Sequence, residues 1–253
     1  MRLGPALALL LTIGMSLSAA QDIPSGTVLP VMLNSTLDVR HDKPGRIVSG
    51  KVMQDVSLPD GQIISRGTRI SGHVVSVQPA SVGTPSRLSL KFDYLELKGK
   101  RVPMTAHLRA VASMYEVYEA KMPTNAWDDY GTSASDWNTV QIGGAGVYRG
   151  SGEVVQDAQV VGRATDYGAV TAKLIAAPKR GCLGSSDHEQ ALWKFSPEAC
   201  GSYGLNDLKI IRDEQGSAAG EIVLQSSGDI HIAGGSGWLL RVDALAQSSG
   251  ITN

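Results

Sequence analysis

The sequence predicts an all-β fold, a barrel or sandwich of short strands carrying a long, Gly-rich, disulfide-bearing insertion. Three observations point there. Leu88, Leu90, Phe92 and Tyr94 are apolar at every second position, with Ser89, Lys91 and Asp93 between them, the period of a strand with one buried face. Turn chemistry punctuates the chain at Pro59-Asp60-Gly61 and Lys98-Gly99-Lys100, where Gly can take positive φ. And no ten-residue stretch between Thr27 and Ala112 shows a capped 3.6-residue apolar period, so a helical bundle has nothing to build on.

Taken in order, the first 20 residues read as a secretory signal peptide. Met1-Arg2 is a positive start, Leu3–Leu17 is apolar or small, and Ser18-Ala19-Ala20 offers a cleavage site before Gln21. An uncleaved anchor is the alternative, but a spanning helix needs about 20 apolar residues and this core is shorter. The mature chain keeps all 24 acids and all but Arg2 of the 23 Lys and Arg. That balance excludes the basic footprint of a nucleic-acid or anionic-membrane binder. No second apolar run approaches spanning length, so no membrane span is expected after cleavage.

Residues 21–112 form the first β-domain. Val52–Leu58 and Ile63–Ile64 flank the Pro59-Asp60-Gly61 hairpin signal. Leu88–Leu97, with its apolar phase slipping at Leu95, predicts a strand with a bulge. Val102, Met104, Ala106, Leu108 and Ala110 alternate in turn and predict the returning arm of a hairpin. Residues 113–220 are an irregular or β insertion, with strands expected at Val154–Val161 and Ala169–Ile175. A helical turn is expected from Ser196-Pro197-Glu198-Ala199, with Pro suited to the first helical position. Residues 221–247 supply returning strands at Glu221–Leu224, Asp229–Ile232 and Trp238–Val242, and Ala244–Asn253 reads as a loose tail.

The two cysteines, Cys182 and Cys200, are read as a disulfide, which secretion permits. Free thiols or metal ligands are the alternatives, although no further Cys or His stands at metal-site spacing. No residue is assigned to catalysis, to a cofactor or to a metal. Gly144, Gly146 and Gly150 miss the G-x-G-x-x-G spacing, and Gly234-Gly235-Ser236-Gly237 is followed by Trp238 where a nucleophile elbow needs Gly. His73, His107 and His231 are scattered over strand-like segments. Asp128, Asp129 and Asp136 lack the ligand spacing of a calcium loop.

One resemblance adds to this. Pro24-Ser25-Gly26-Thr27-Val28-Leu29-Pro30-Val31, Ile64-Ser65-Arg66-Gly67-Thr68-Arg69-Ile70-Ser71-Gly72, Arg87–Phe92 with Leu97–Lys100, and Gly235–Val242 together resemble the β-barrel domain of the VirB10/TrbI family of type IV secretion proteins. The resemblance covers about half the mature chain. Ser65 stands where that family has Pro, and the insertion has no counterpart in it. It implies a stand-alone relative of the barrel: a non-enzymatic bacterial envelope protein, periplasmic or secreted, that meets a protein or another envelope macromolecule. The competing expectation is a protein or hydrolase acting on cell-surface polymer through a platform of Trp127, Trp137, Trp193 and Trp238.

Overall fold

The computed structural model describes residues 22–121, 138–144, 147–149, 152–165, 168–177, 182, 184–212 and 220–243. The expected signal peptide, the Asp128–Asp136 loop, Gly146, Gly150, Trp127, Trp137 and the tail lie outside them. The fold is all-β, and its main element is a nearly closed ten-stranded sheet. Its strands are β1 (Val28–Leu33), β3 (Ile47–Val52), β6 (Arg69–Gln78), β7 (Ser86–Leu97), β8 (Lys100–Pro103), β9 (Ala106–Ala112), β16 (Gly201–Tyr203), β17 (Lys209–Ile211), β18 (Ile222–Ser226) and β20 (Gly237–Val242). The order around the barrel is β16-β9-β20-β1-β3-β6-β7-β18-β17, with β8 paired to β7. The two ends of this path, β16 and β17, are consecutive in the chain, and Ser202 Oγ donates to the Leu208 carbonyl across their connection. Little sheet edge is left open, which is how a barrel avoids pairing with strangers.

Local chemistry explains the long hairpin β6–β7. Opposite Ser71–Gly72, β7 carries one extra residue, Asp93, and this bulge produces the phase slip in the apolar pattern: Phe92 and Leu95 are both buried while Asp93 is exposed. Gly72 is required at that point, because a Cβ there would collide with the Lys91 carbonyl. The turn from β7 to β8 runs through Lys98 and Gly99, both at positive φ. The returning arm is shorter than the alternation suggested. Only Lys100–Pro103 pairs with β7; from Ala106 onward the chain crosses to pair with β20 and, in parallel, β16.

The returning strand β20 lies between β1 and β9, with Leu240 opposite Leu29 and Leu108. Strand alternation then sorts its side chains. Trp238 and Leu240 join the barrel interior with Leu29, Leu88, Leu90 and Phe92, whereas Leu239 faces outward with Val28, Ala110 and Ala112. Trp238 is fully buried, meets Phe92 edge to face at 6.2 Å and donates its indole N–H to Ser236 Oγ at 3.0 Å. The barrel interior is therefore filled with side chains.

The insertion is more regular than its composition suggested. It forms an antiparallel meander of β10 (Asn138–Val140), β11 (Val147–Arg149), β12 (Glu153–Gln156), β13 (Gln159–Ala164), β14 (Val170–Lys173) and β15 (Glu189–Trp193). Val154–Val161, expected as one strand, is instead the β12–β13 hairpin. Asp157 and Ala158 turn it with φ of 47° and 62°, an αL pair with no Gly to announce it. Residues Val170, Ala172, Leu192 and Phe195 of this sheet and its exit pack on the outward face of the barrel, against Val28, Ala110, Ala112 and Leu239. The small residues on the barrel side let the two layers approach. A short helix, α1 (Met114–Glu119), leads out of β9, capped by Ser113, whose Oγ accepts from the Glu116 N–H. The expected helical turn at Ser196–Ala199 is only a tight turn, closed by the Ala199 N–H donating to the Ser196 carbonyl. Pro supplies the right φ there, but the chain must enter β16 within two residues.

Candidate functional site

The seam between barrel and insertion holds a cleft of about 480 Å³. Next to Met53 of its lining, β1 outruns its neighbour. β3 covers β1 only from Val31 to Leu33, so the first half of β1 presents a free edge on that side. Pro30 suits this edge because it has no N–H to leave unpaired, and its carbonyl accepts from the Met53 N–H at 2.8 Å. The insertion completes the cover: Gln190 of β15 reaches over and accepts the Val28 N–H at 3.0 Å. Below it the chain turns into the small hairpin of β4 (Val56–Ser57) and β5 (Ile63–Ile64), closed over the Pro59-Asp60-Gly61 turn as the sequence predicted.

Gln54, buried at the start of that hairpin, couples the two layers. Its Oε1 accepts the backbone N–H of Trp193 at 2.6 Å across 139 residues. Trp193 takes φ 56°, a left-handed conformation that is a true outlier for so bulky a side chain. The strain sits where β15 ends, opposite a register shift at Val170/Thr171, and Gln54 is one of the contacts that hold it. Strain of this kind persists only where surrounding contacts over-determine it and is concentrated at working sites. Trp193 as a whole residue is 7% exposed, and the Lys121 ammonium lies 5.8 Å from its ring centroid.

Among the described residues, Arg66, Lys121, Arg163, Lys194 and Asp55 are the charged groups that line the cleft; Asp55 Oδ1 accepts the backbone N–H of Arg66 at 2.6 Å. A second acid, Glu189, meets Arg163 at 3.2 Å, and the Arg163 side chain remains 70% exposed. Ser57, Thr165 and Thr171 add hydroxyls. A smaller cavity of about 410 Å³ continues on the other side of Ser57, beside His188 and Gln190.

The residues singled out in the sequence go elsewhere. Cys182 and Cys200 form a disulfide with Cα atoms 5.9 Å apart, joining the insertion to the chain that enters β16. Two arginines stand around it. Arg109, buried on β9, donates to the carbonyls of Gly184, Ile175 and Pro197, and Arg212 Nη2 stands 3.0 Å from Cys182 Sγ. Burial, and then the nearby charges of Arg241 and Arg212, push Arg109 down to about 10; burial also lowers Arg212. Arg109 thereby ties loop carbonyls to the barrel wall.

The histidines are dispersed in space as in sequence. His73 meets Asp93, His107 meets Asp243, and His231 and His41 share Asp38. Among the described residues no group of three His, Cys, Asp or Glu side chains is placed to hold a metal, and no helix is long and apolar enough to cross a membrane. Gly234–Gly237 is a turn, fixed by the Gly235 N–H donating to the Leu33 carbonyl. The expected Trp platform is corrected in one member: Trp238 is sealed inside the barrel, where no polymer can reach it. Trp193 forms part of a wall and offers little ring face. No family model matches the chain, and no match was found among curated proteins.

Proposed function

We propose that the mature chain is a non-enzymatic bacterial envelope or secreted protein that presents the barrel–insertion cleft to a partner protein. The observation that carries this is the strained Trp193 corner held by Gln54 at the mouth of the cleft. Two facts support it. The barrel interior is packed, so binding has to occur on the outside, and the disulfide suits an oxidising compartment outside the cytoplasm. The VirB10/TrbI resemblance agrees with an envelope barrel that works through contact with other proteins.

The test is site-specific photocrosslinking in the native envelope. A crosslinking side chain at Ser57 or Thr165, both in the cleft, should give a discrete protein adduct, and one at Val82, exposed in the β6–β7 turn at the far end of that hairpin, should not. Adducts that only a glycan-degrading enzyme removes would favour the cell-surface polymer reading. Absence of any adduct from the cleft positions would overturn the proposal.

A further inference from the structure

Resting on that reading of the cleft, we infer that its occupant is an extended peptide segment of the partner, which adds as a strand to the open edge of β4. The edge follows from the hairpin's own bonds. The Leu58 N–H donates to the Gln62 carbonyl at 2.8 Å, and the Leu58 carbonyl accepts from the Gly61 N–H at 3.0 Å. Along an antiparallel strand successive residues turn their backbone groups to opposite sides, so the N–H and C=O of Ser57 point away from β5. Ser57 is exposed, and among the described residues these two groups have no partner. The edge of β1 nearby is closed by contrast: Pro30 has no N–H to offer, and the Val28 N–H is taken by Gln190.

Both cavities lie along this edge. The larger borders Met53, Gln54, Asp55 and Ser57, and the smaller borders Ser57, Leu58 and Pro59. They therefore follow β4 in chain order and meet at Ser57. Ile63 and Ile64 of β5 line neither, so both cavities stand on the open side of β4. The insertion is the facing wall, through Thr165, Thr171 and Trp193 in the larger cavity and His188 and Gln190 in the smaller. A peptide laid beside β4 at strand spacing crosses both and exchanges backbone hydrogen bonds with Ser57. Strand addition draws affinity from such main-chain bonds and specificity from pockets for alternate side chains. Pro59, without an N–H, ends the pairing edge. With Pro24 and Leu58 it gives the smaller cavity an apolar lining, the seat for an apolar side chain of the occupant.

The experiment selects a phage-displayed library of random dodecapeptides on the full mature protein and measures the enriched peptides, fluorescein-labelled, by anisotropy. Binding is expected, with an apolar residue recurring at one position. Methylating the peptide's backbone amides one at a time should weaken binding at every second position of a short run, by at least about tenfold where the N–H meets β4. Ser57→Pro removes the N–H of the edge and should lose affinity by a similar factor while keeping the wild-type circular dichroism; Ser57→Ala, which keeps that N–H, should lose far less, and Val82→Ser should bind as wild type. Should Ser57→Pro fail to fold, the methylation scan decides alone. No enriched peptide, methylation effects without a period of two, or equal binding by a folded Ser57→Pro would overturn the inference. The two readings fail separately. Protein crosslinks from the cleft without the period of two remove the strand mode alone, and a period of two without crosslinks in the native envelope removes the partner function.

Discussion

The ten-stranded barrel takes its neighbours from all along the chain, whereas the six-stranded insertion takes them in simple sequence order. β1 and β20 stand near the two ends of the described chain and lie side by side; β10 to β15 are successive antiparallel neighbours. Their cores differ in the same way. The barrel is filled from many strands with Leu, Ile, Val, Phe92 and Trp238. The insertion buries one face on the barrel wall and leaves Val140, Val155 and Val160 exposed. A meander with one covered face depends on what covers it, while a barrel whose ends are laced together depends on its own closure. The cleft forms where these two kinds of sheet meet, with residues from both.

The largest effect should come from the barrel interior. Trp238→Ala removes the side chain that fills the space beside Phe92 and leaves a cavity in a closed wall, at a cost of about 3–5 kcal/mol. Urea denaturation should show it, with the insertion losing its structure in the same transition. If the insertion kept its fold after the barrel had melted, the dependence argued above would be wrong.

Opening the staple should cost less. Replacing both Cys182 and Cys200 by Ser releases a loop with a sequence separation of 18, worth about 3 kcal/mol or less in the chain-entropy model. The loss should fall on the insertion and β16, and limited proteolysis should cut between residues 182 and 200 before any other part of the fold. Uniform susceptibility would show that the bridge braces the whole barrel.

The smallest effect concerns Asp38. Its carboxylate accepts the Arg40 N–H and meets the His41 side chain, and these hold it down to about 2 from an ordinary 3.8. A lowered carboxylate contributes stability that is complete above its unfolded value and disappears as pH falls through the folded one. The stability difference between wild type and Asp38→Asn should therefore shrink as pH falls from about 4 to about 2. A difference independent of pH would mean that the carboxylate's charge plays no part.

Much of the barrel was legible because its signals are local. The Asp60-Gly61 turn, the Lys98-Gly99 turn and the slip after Phe92 each depend on a few adjacent residues, and each appears where the sequence put it. The Asp157-Ala158 turn was hidden because its positive φ falls on residues that carry a Cβ. The departure of β9 from β7 was hidden too: Ala106 to Ala110 alternate equally well against either neighbour, and only the distant β20 decides between them. The disulfide could be read, since two cysteines leave one pairing. The cleft could not. Gln54 and Trp193 have no pattern linking them, and the residues that line the cleft become a site only after the insertion folds back onto β1.

Native-state hydrogen exchange, resolved by residue, tests the central claim that β20 closes one cooperative barrel against which the insertion leans. Amides of β1, β9 and β20 should share the slowest exchange and the same opening free energy as β6 and β7, and those of β11–β13 should open at distinctly lower free energy. Fast exchange confined to β20, with β1, β3, β6, β7 and β9 still fully protected, would show that residues 22–112 stand without it and would contradict the account.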